Sequence, residues 1–181
     1  MLVFLLCLLF ISSIANKSFA NSAEDPPYTQ YSEQGYRYYS LNIDYKHENI
    51  YATGPINAFN QAAADWNDVH NDINFYENSS SQNTVYADVV AEDMGGAYDV
   101  LVWVNSTQTR FSSFSAFINT LLPQGTNARA WRGSAGHEFG HILGLGHVGT
   151  ANLMNGARNR NSIYTPQSGD IAGVYDIHNF D

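Results

Sequence analysis

Four residues late in the chain have types and spacing that could do chemistry together: His137, Glu138, His141 and His147, within the string His137-Glu138-Phe139-Gly140-His141-Ile142-Leu143-Gly144-Leu145-Gly146-His147. Histidines four apart on a helix stand one above the other on one face, so the imidazoles of His137 and His141 can reach a single ion. Gly144 and Gly146 allow a sharp turn without a side-chain clash, and this can return His147 to the same ion as a third ligand. Three neutral imidazoles with a fourth position open to water suit a catalytic zinc. Glu138 follows the first ligand, points in a neighbouring direction, and can take a proton from a zinc-activated water. The expected chemistry is hydrolysis by water, with zinc as cofactor and no covalent intermediate.

Several elements must position these residues. A helix over about Asn127 to Leu143, closed by Gly144, carries the first two ligands. Upstream, Tyr36 to Tyr45 reads as a strand. Thr53-Gly54-Pro55 opens a helix in which Ile56, Phe59, Ala63, Trp66 and Val69 recur at three- and four-residue spacings. Further strands are expected over Ile73 to Tyr76, Val85 to Ala91 and Tyr98 to Val104. The continuous apolar run Val100 to Val104 suggests a central strand covered on both faces. Arg110 to Leu122 reads equally as a short helix or an ordered loop. Thr165 as cap and Pro166 at the first helical position signal a last helix, with Ile171, Val174, Tyr175 and His178 on one face.

The whole chain has 181 residues, 44% of them hydrophobic, enough for one folded domain. With Asp+Glu 17 against Lys+Arg 8 and a net charge of -9, it lacks the basic stripe needed for nucleic acid or anionic lipid. The apolar opening, ending in Ser18-Phe19-Ala20, reads as a secretory signal peptide over 1–20. Residues 21–35, with Pro26-Pro27, read as an irregular lead-in, and 36–181 as one catalytic domain. Cys7 is the one cysteine and goes with the signal, so the mature chain has no disulfide. The expectation is a secreted, extracellular monomer acting on proteins or peptides, with no nucleic acid and no membrane after signal removal.

The ligand string resembles the HExxHxxGxxH signature of the metzincin metallopeptidases, and Met154 in Asn152-Leu153-Met154-Asn155-Gly156 resembles their Met-turn. Among metzincins the chain is most similar to the matrixins, in the wording of the ligand helix and of Thr165-Pro166-Gln167-Ser168-Gly169-Asp170-Ile171-Ala172-Gly173-Val174. The resemblance implies an α+β metzincin-like catalytic domain: a twisted mixed sheet of four or five strands with three main helices around an active-site cleft. It implies a zinc metalloendopeptidase with His137, His141 and His147 as metal ligands, Glu138 as general base and Met154 packed beneath the ion. Substrate would bind extended along a sheet edge.

Departures from the matrixin pattern carry their own expectations. Asn78 to Asn105 contains no His, so the second, structural zinc is not expected. No cysteine switch survives; Asp25 could approach the zinc instead, as an aspartate does in astacins. Glu92, Asp93 and Asp99 around Gly95-Gly96 could bind calcium through oxygen ligands. By resemblance, Gly133 sits where matrixins limit the depth of the primary specificity pocket, which implies a large apolar residue after the cut bond. Tyr164 reads first as an ordinary packed tyrosine and second as a source of the wall or hydroxyl that is missing after Met154. His47, His70 and His178 read as ordinary packed or loop histidines. The competing reading is a catalytically inactive zinc-containing binding module on the same fold; Glu138 beside all three ligands argues against it.

Overall fold

The computed structural model describes residues 18–19, 32–49, 52–90, 94–121, 127–149 and 151–180. In chain order they form β1 (Ser18–Phe19), β2 (Ser32–Glu33), β3 (Arg37–Tyr38), β4 (Asn42–His47), α1 (Thr53–Asn67), β5 (Asn74–Glu77), β6 (Thr84–Asp88), β7 (Gly96–Trp103), β8 (Arg110–Asn119), α2 (Ala128–Ile142), β9 (Leu145–Gly146) and α3 (Ser168–His178). Apart from β1, the signal-peptide expectation lies outside the described residues, as does Asp25.

The main sheet has the order β1-β7-β8-β6-β4-β5, with β3 also on β8. β4, β5, β6 and β8 run parallel, and β7 runs antiparallel to β8. β4 to β8 are the five substantial strands, so the mixed α/β architecture with three helices matches the metzincin-like expectation; β1 and β3 are two-residue additions. β2 pairs with β9 apart from this sheet.

α1 folds because its apolar positions make one stripe: Ala58, Phe59, Ala62, Ala63 and Trp66 are buried, against α2 and β5. The Trp66 indole N–H donates to the Gly136 carbonyl of α2 at 2.8 Å, so the helix that bears the ligands is held to the first one. α2 starts where Asn127 Oδ1 accepts from the Arg129 and Ala130 amides at 3.0 and 3.1 Å. It ends before Gly144, whose φ of 105° a side chain would strain. Phe139 locks the other face of α2 to the sheet, stacked on Phe75 at 4.5 Å and tilted on Tyr45 and Phe59. Full burial of one such ring contributes roughly 1.5–3 kcal/mol.

Three local expectations are corrected. Arg110 to Asn119 is neither helix nor loop: β8 is a ten-residue strand between β6 and β7. Its serines disguise it, yet they are small enough for an interior strand, and Ser113 is buried. The Val100 to Val104 run is not central. It lies at the sheet edge, where Leu101, Val102 and Val104 are 54%, 51% and 54% exposed. Past Tyr98, no described strand pairs with the outer side of β7. α3 starts at Ser168 with Gln167 as cap, not at Pro166, and buries Asp170, Val174 and Ile177. Ile171, Tyr175 and His178 are only half-buried. Among the described residues no helix is long and apolar enough to cross a membrane.

His178 ends α3 with Nε2 at 2.8 Å from the Leu143 carbonyl, tying that helix to the end of α2. Burial, with Arg37 and Arg110 nearby, pushes its pKa down from 6.5 to about 4. The unfolded chain therefore binds a proton here that the folded chain rejects between those values. Stability from this group is complete above about pH 6.5 and is lost as pH falls towards about 4. His178→Gln should flatten the fall in denaturation midpoint between pH 6.5 and 4; a profile parallel to wild type would show that other groups govern acid stability.

Candidate metal centre

His137 and His141 lie one turn apart on α2, both buried, with ring centroids 4.7 Å apart. After Gly144, the two residues of β9 carry the chain back, and His147 faces both rings. Its Nε2 is 3.0 Å from that of His137 and 3.2 Å from that of His141. The sequence-designated ligands are thus together, all ligand atoms lying within 4.8 Å of one another. The other histidines stand apart: His47 meets Asn60 Oδ1 at 3.0 Å, and His70 stacks on Phe180 at 3.8 Å.

The far side of two rings decides what the near side can do. His137 Nδ1 is 2.8 Å from the Leu153 carbonyl, and His141 Nδ1 is 2.7 Å from the Leu145 carbonyl. Nδ1 therefore carries the proton in each, which leaves the Nε2 lone pairs aimed at a shared point. Burial, with Arg158 and the other imidazoles nearby, holds His137 well below 6.5; burial and the neighbouring His147 push His141 down to about 3. His147 Nε2 faces both lone pairs, and a cation shared by the three nitrogens would satisfy them together. Nitrogens on a tetrahedral zinc, at ~2.0–2.1 Å from the ion, would be about 3.3 Å apart, so the donor set fits zinc.

Glu138 lies beside this cluster, fully buried, and neither carboxyl oxygen has a hydrogen-bond partner among the described residues. Burial raises its pKa to about 8, against the opposing pull of Arg158 and Arg160. Its Oε1 faces β7 so closely that a Cβ on Gly96 would stand 3.1 Å away. The carboxyl therefore faces the start of β7.

Met154 is buried against Gly140, where an added Cβ would collide with its sulfur and lie 3.2 Å from the Trp66 ring. The Met154 carbonyl accepts the Val148 amide at 3.2 Å, tying this turn to the residue after His147. What holds the turn is Asp170, which the sequence reading missed. Oδ2 accepts from the Leu153 and Gln167 amides at 2.7 and 2.8 Å, and Oδ1 accepts from Met154 N at 3.1 Å. The one signal was its place three residues after the α3 cap. Arg158, also missed, is buried and donates to the Gly133 and Asn155 carbonyls at 2.6 and 3.0 Å, clamping the following loop to α2.

One pocket expectation changes. A Cβ on Gly133 would stand 3.0 Å from Cα and 3.2 Å from Cβ of Tyr164, so the depth that a glycine would open is already filled. The Tyr164 ring lies 5.5 and 5.4 Å from the Arg129 and Arg132 guanidiniums, where it packs between cations. Glu92 and Asp93 lie outside the described residues; Asp99 stands on β7.

No protein-family profile matches this sequence, and no curated protein matches it. Solved structures do. High choriolytic enzyme 1, a hatching enzyme zinc-protease from Oryzias latipes (medaka fish), aligns at 12% identity with a TM-score of 0.50, covering 77% of this chain and 90% of that one. The GM1-bound form of the ECX AB5 holotoxin aligns at 17% identity with a TM-score of 0.48, covering 83% and 86%. The likeness to the hatching enzyme shows a shared fold, and on it this chain places a three-histidine cluster on the helix and turn described above.

Proposed function

We propose that this chain is a zinc-dependent endopeptidase that cleaves peptide bonds with water. The observation that carries the reading is the buried Glu138 carboxyl, without a hydrogen-bond partner among the described residues, next in the chain to the first of three converging imidazoles and facing the start of β7. A structural metal site has no use for that carboxyl. Zinc held by His137, His141 and His147 supplies Lewis-acid activation of the attacking water and the scissile carbonyl. Glu138 accepts the proton of that water and returns it to the leaving nitrogen. Leu145 and Leu153 hold two rings in the required tautomer, and Asp170 holds Leu153 in place through its amide.

Substrate would add to the outer side of β7 as an extended antiparallel strand. The pairing of β1 with Ala97 and Tyr98 supports that direction. Within the metzincins we read the chain as matrixin-like, on the wording of its ligand helix and its last helix. The apolar leader supports secretion as a monomer, and the net charge of -9 supports protein or peptide partners over nucleic acid.

The test is cleavage of a peptide library by purified protein with and without a chelator. Cuts at internal bonds, abolished by chelation and restored by zinc, are expected. Cleavage that survives complete metal removal, or none with one zinc bound per chain, would overturn the reading.

A further inference from the structure

The segment before Tyr36 reads as lead-in in the sequence, yet it is built into the metal centre. β2 pairs antiparallel with β9, Ser32 opposite Gly146 and Glu33 opposite Leu145. Those are the two residues before His147, and Leu145 supplies the carbonyl that orients His141. The Gln34 amide then donates to the Gly144 carbonyl at 3.1 Å. Its side chain reaches three ways. Nε2 donates to the main-chain carbonyl of His141 and, at 2.8 Å, to that of Tyr36; Oε1 accepts the Tyr98 hydroxyl at 2.6 Å. The Tyr98 hydroxyl also lies 3.0 Å from that of Tyr36.

Tyr98 is 2% exposed, and its ring stacks on the His141 imidazole with centroids 5.2 Å apart and planes 23° from parallel. His141 is thereby held on three sides: at Nδ1 by Leu145, across one ring face by Tyr98, and at its carbonyl by Gln34. Tyr98 also belongs to β7, so this one glutamine couples the ligand helix, the turn that returns the third ligand, and the strand edge.

We propose that Gln34 and Tyr98 are positioning residues for the metal centre, so that any processing of the amino terminus that leaves zinc binding intact must cut before Ser32. The inference rests on the zinc-peptidase reading. Partners of this kind around metal-bound histidines change metal affinity by about 10–100-fold when removed.

The test uses the full chain and its Gln34→Ala, Gln34→Glu, Tyr98→Phe and Tyr98→Leu variants. Zinc affinity is measured by competition with a chromophoric chelator, and the visible spectrum is recorded with cobalt in place of zinc. Gln34→Ala and Tyr98→Leu should each weaken zinc binding about tenfold and shift the cobalt bands. Tyr98→Phe keeps the ring over His141 and should lose less than Tyr98→Leu. Gln34→Glu keeps an acceptor for Tyr98 but loses the donor to His141, and serves if the alanine variant does not fold. Wild-type zinc affinity and cobalt spectra in Gln34→Glu and Tyr98→Leu would overturn the proposal. So would variants that melt earlier by the same amount with and without zinc. A wild-type chain that binds no zinc would overturn the parent reading, and this one with it.

Discussion

Glu138→Gln is expected to bind zinc as tightly as wild type while kcat falls by roughly a hundred- to ten-thousand-fold, the range ascribed to a positioned proton-transfer group. The two side chains have nearly the same shape, and Glu138 makes no hydrogen bond that the amide would break. Burying a neutral amide in place of a group that burial already pushes towards protonation should leave the fold no less stable. The variant separates the two jobs proposed for the site: holding the ion, assigned to the imidazoles, and moving the proton, assigned to the carboxyl. Steady-state kinetics on a library-derived peptide, with zinc content measured on the same sample, reads both. Wild-type turnover with full zinc content would remove Glu138 from the mechanism; lost zinc would make it part of the metal's support.

Asp170→Ala should destabilise the fold through the backbone donors it leaves behind. The carboxylate accepts three backbone amides, two of which start the turn under the metal. Removing it strands those donors in a buried place, at about 1–3 kcal/mol for each that water cannot reach. A loss of roughly 3 kcal/mol is expected for the zinc-loaded protein in urea unfolding. Asp170→Asn can keep its one carbonyl oxygen on the Leu153 and Gln167 amides and lose only Met154, so about half that loss is expected. Because Leu153 orients His137 through its carbonyl, zinc affinity should fall in the same order. An alanine variant within 1 kcal/mol of wild type would show that water replaces the carboxylate and that the turn holds itself.

How much of this was legible beforehand depended on whether a feature is local. The ligand helix was, because the i and i+4 spacing and the closing glycine each act within a few residues. Which strands are neighbours was not. An apolar run such as Val100 to Val104 has the same letters in the middle of a sheet as on an edge kept bare, and only long-range pairing decides. β8 was hidden for the converse reason: its three serines break the apolar alternation, although β6, β7 and β3 satisfy its backbone. Asp170, Gln34 and Tyr98 escaped because each acts through main-chain atoms or a ring face distant in sequence, and no spacing rule reaches that far.

Past Tyr98 the outer flank of β7, with no described strand against it, creates a colloidal problem alongside the role proposed for it. A strand with unpaired amides and protruding Leu101, Val102 and Val104 is a template on which a second molecule could zip up, edge to edge. Seventeen acidic residues against eight basic ones make two copies repel before their flanks can meet. A short peptide with few charges feels little of that barrier. The surplus of negative charge thus works as a sieve, keeping the molecules dispersed in one another's company while leaving the same flank open to small guests.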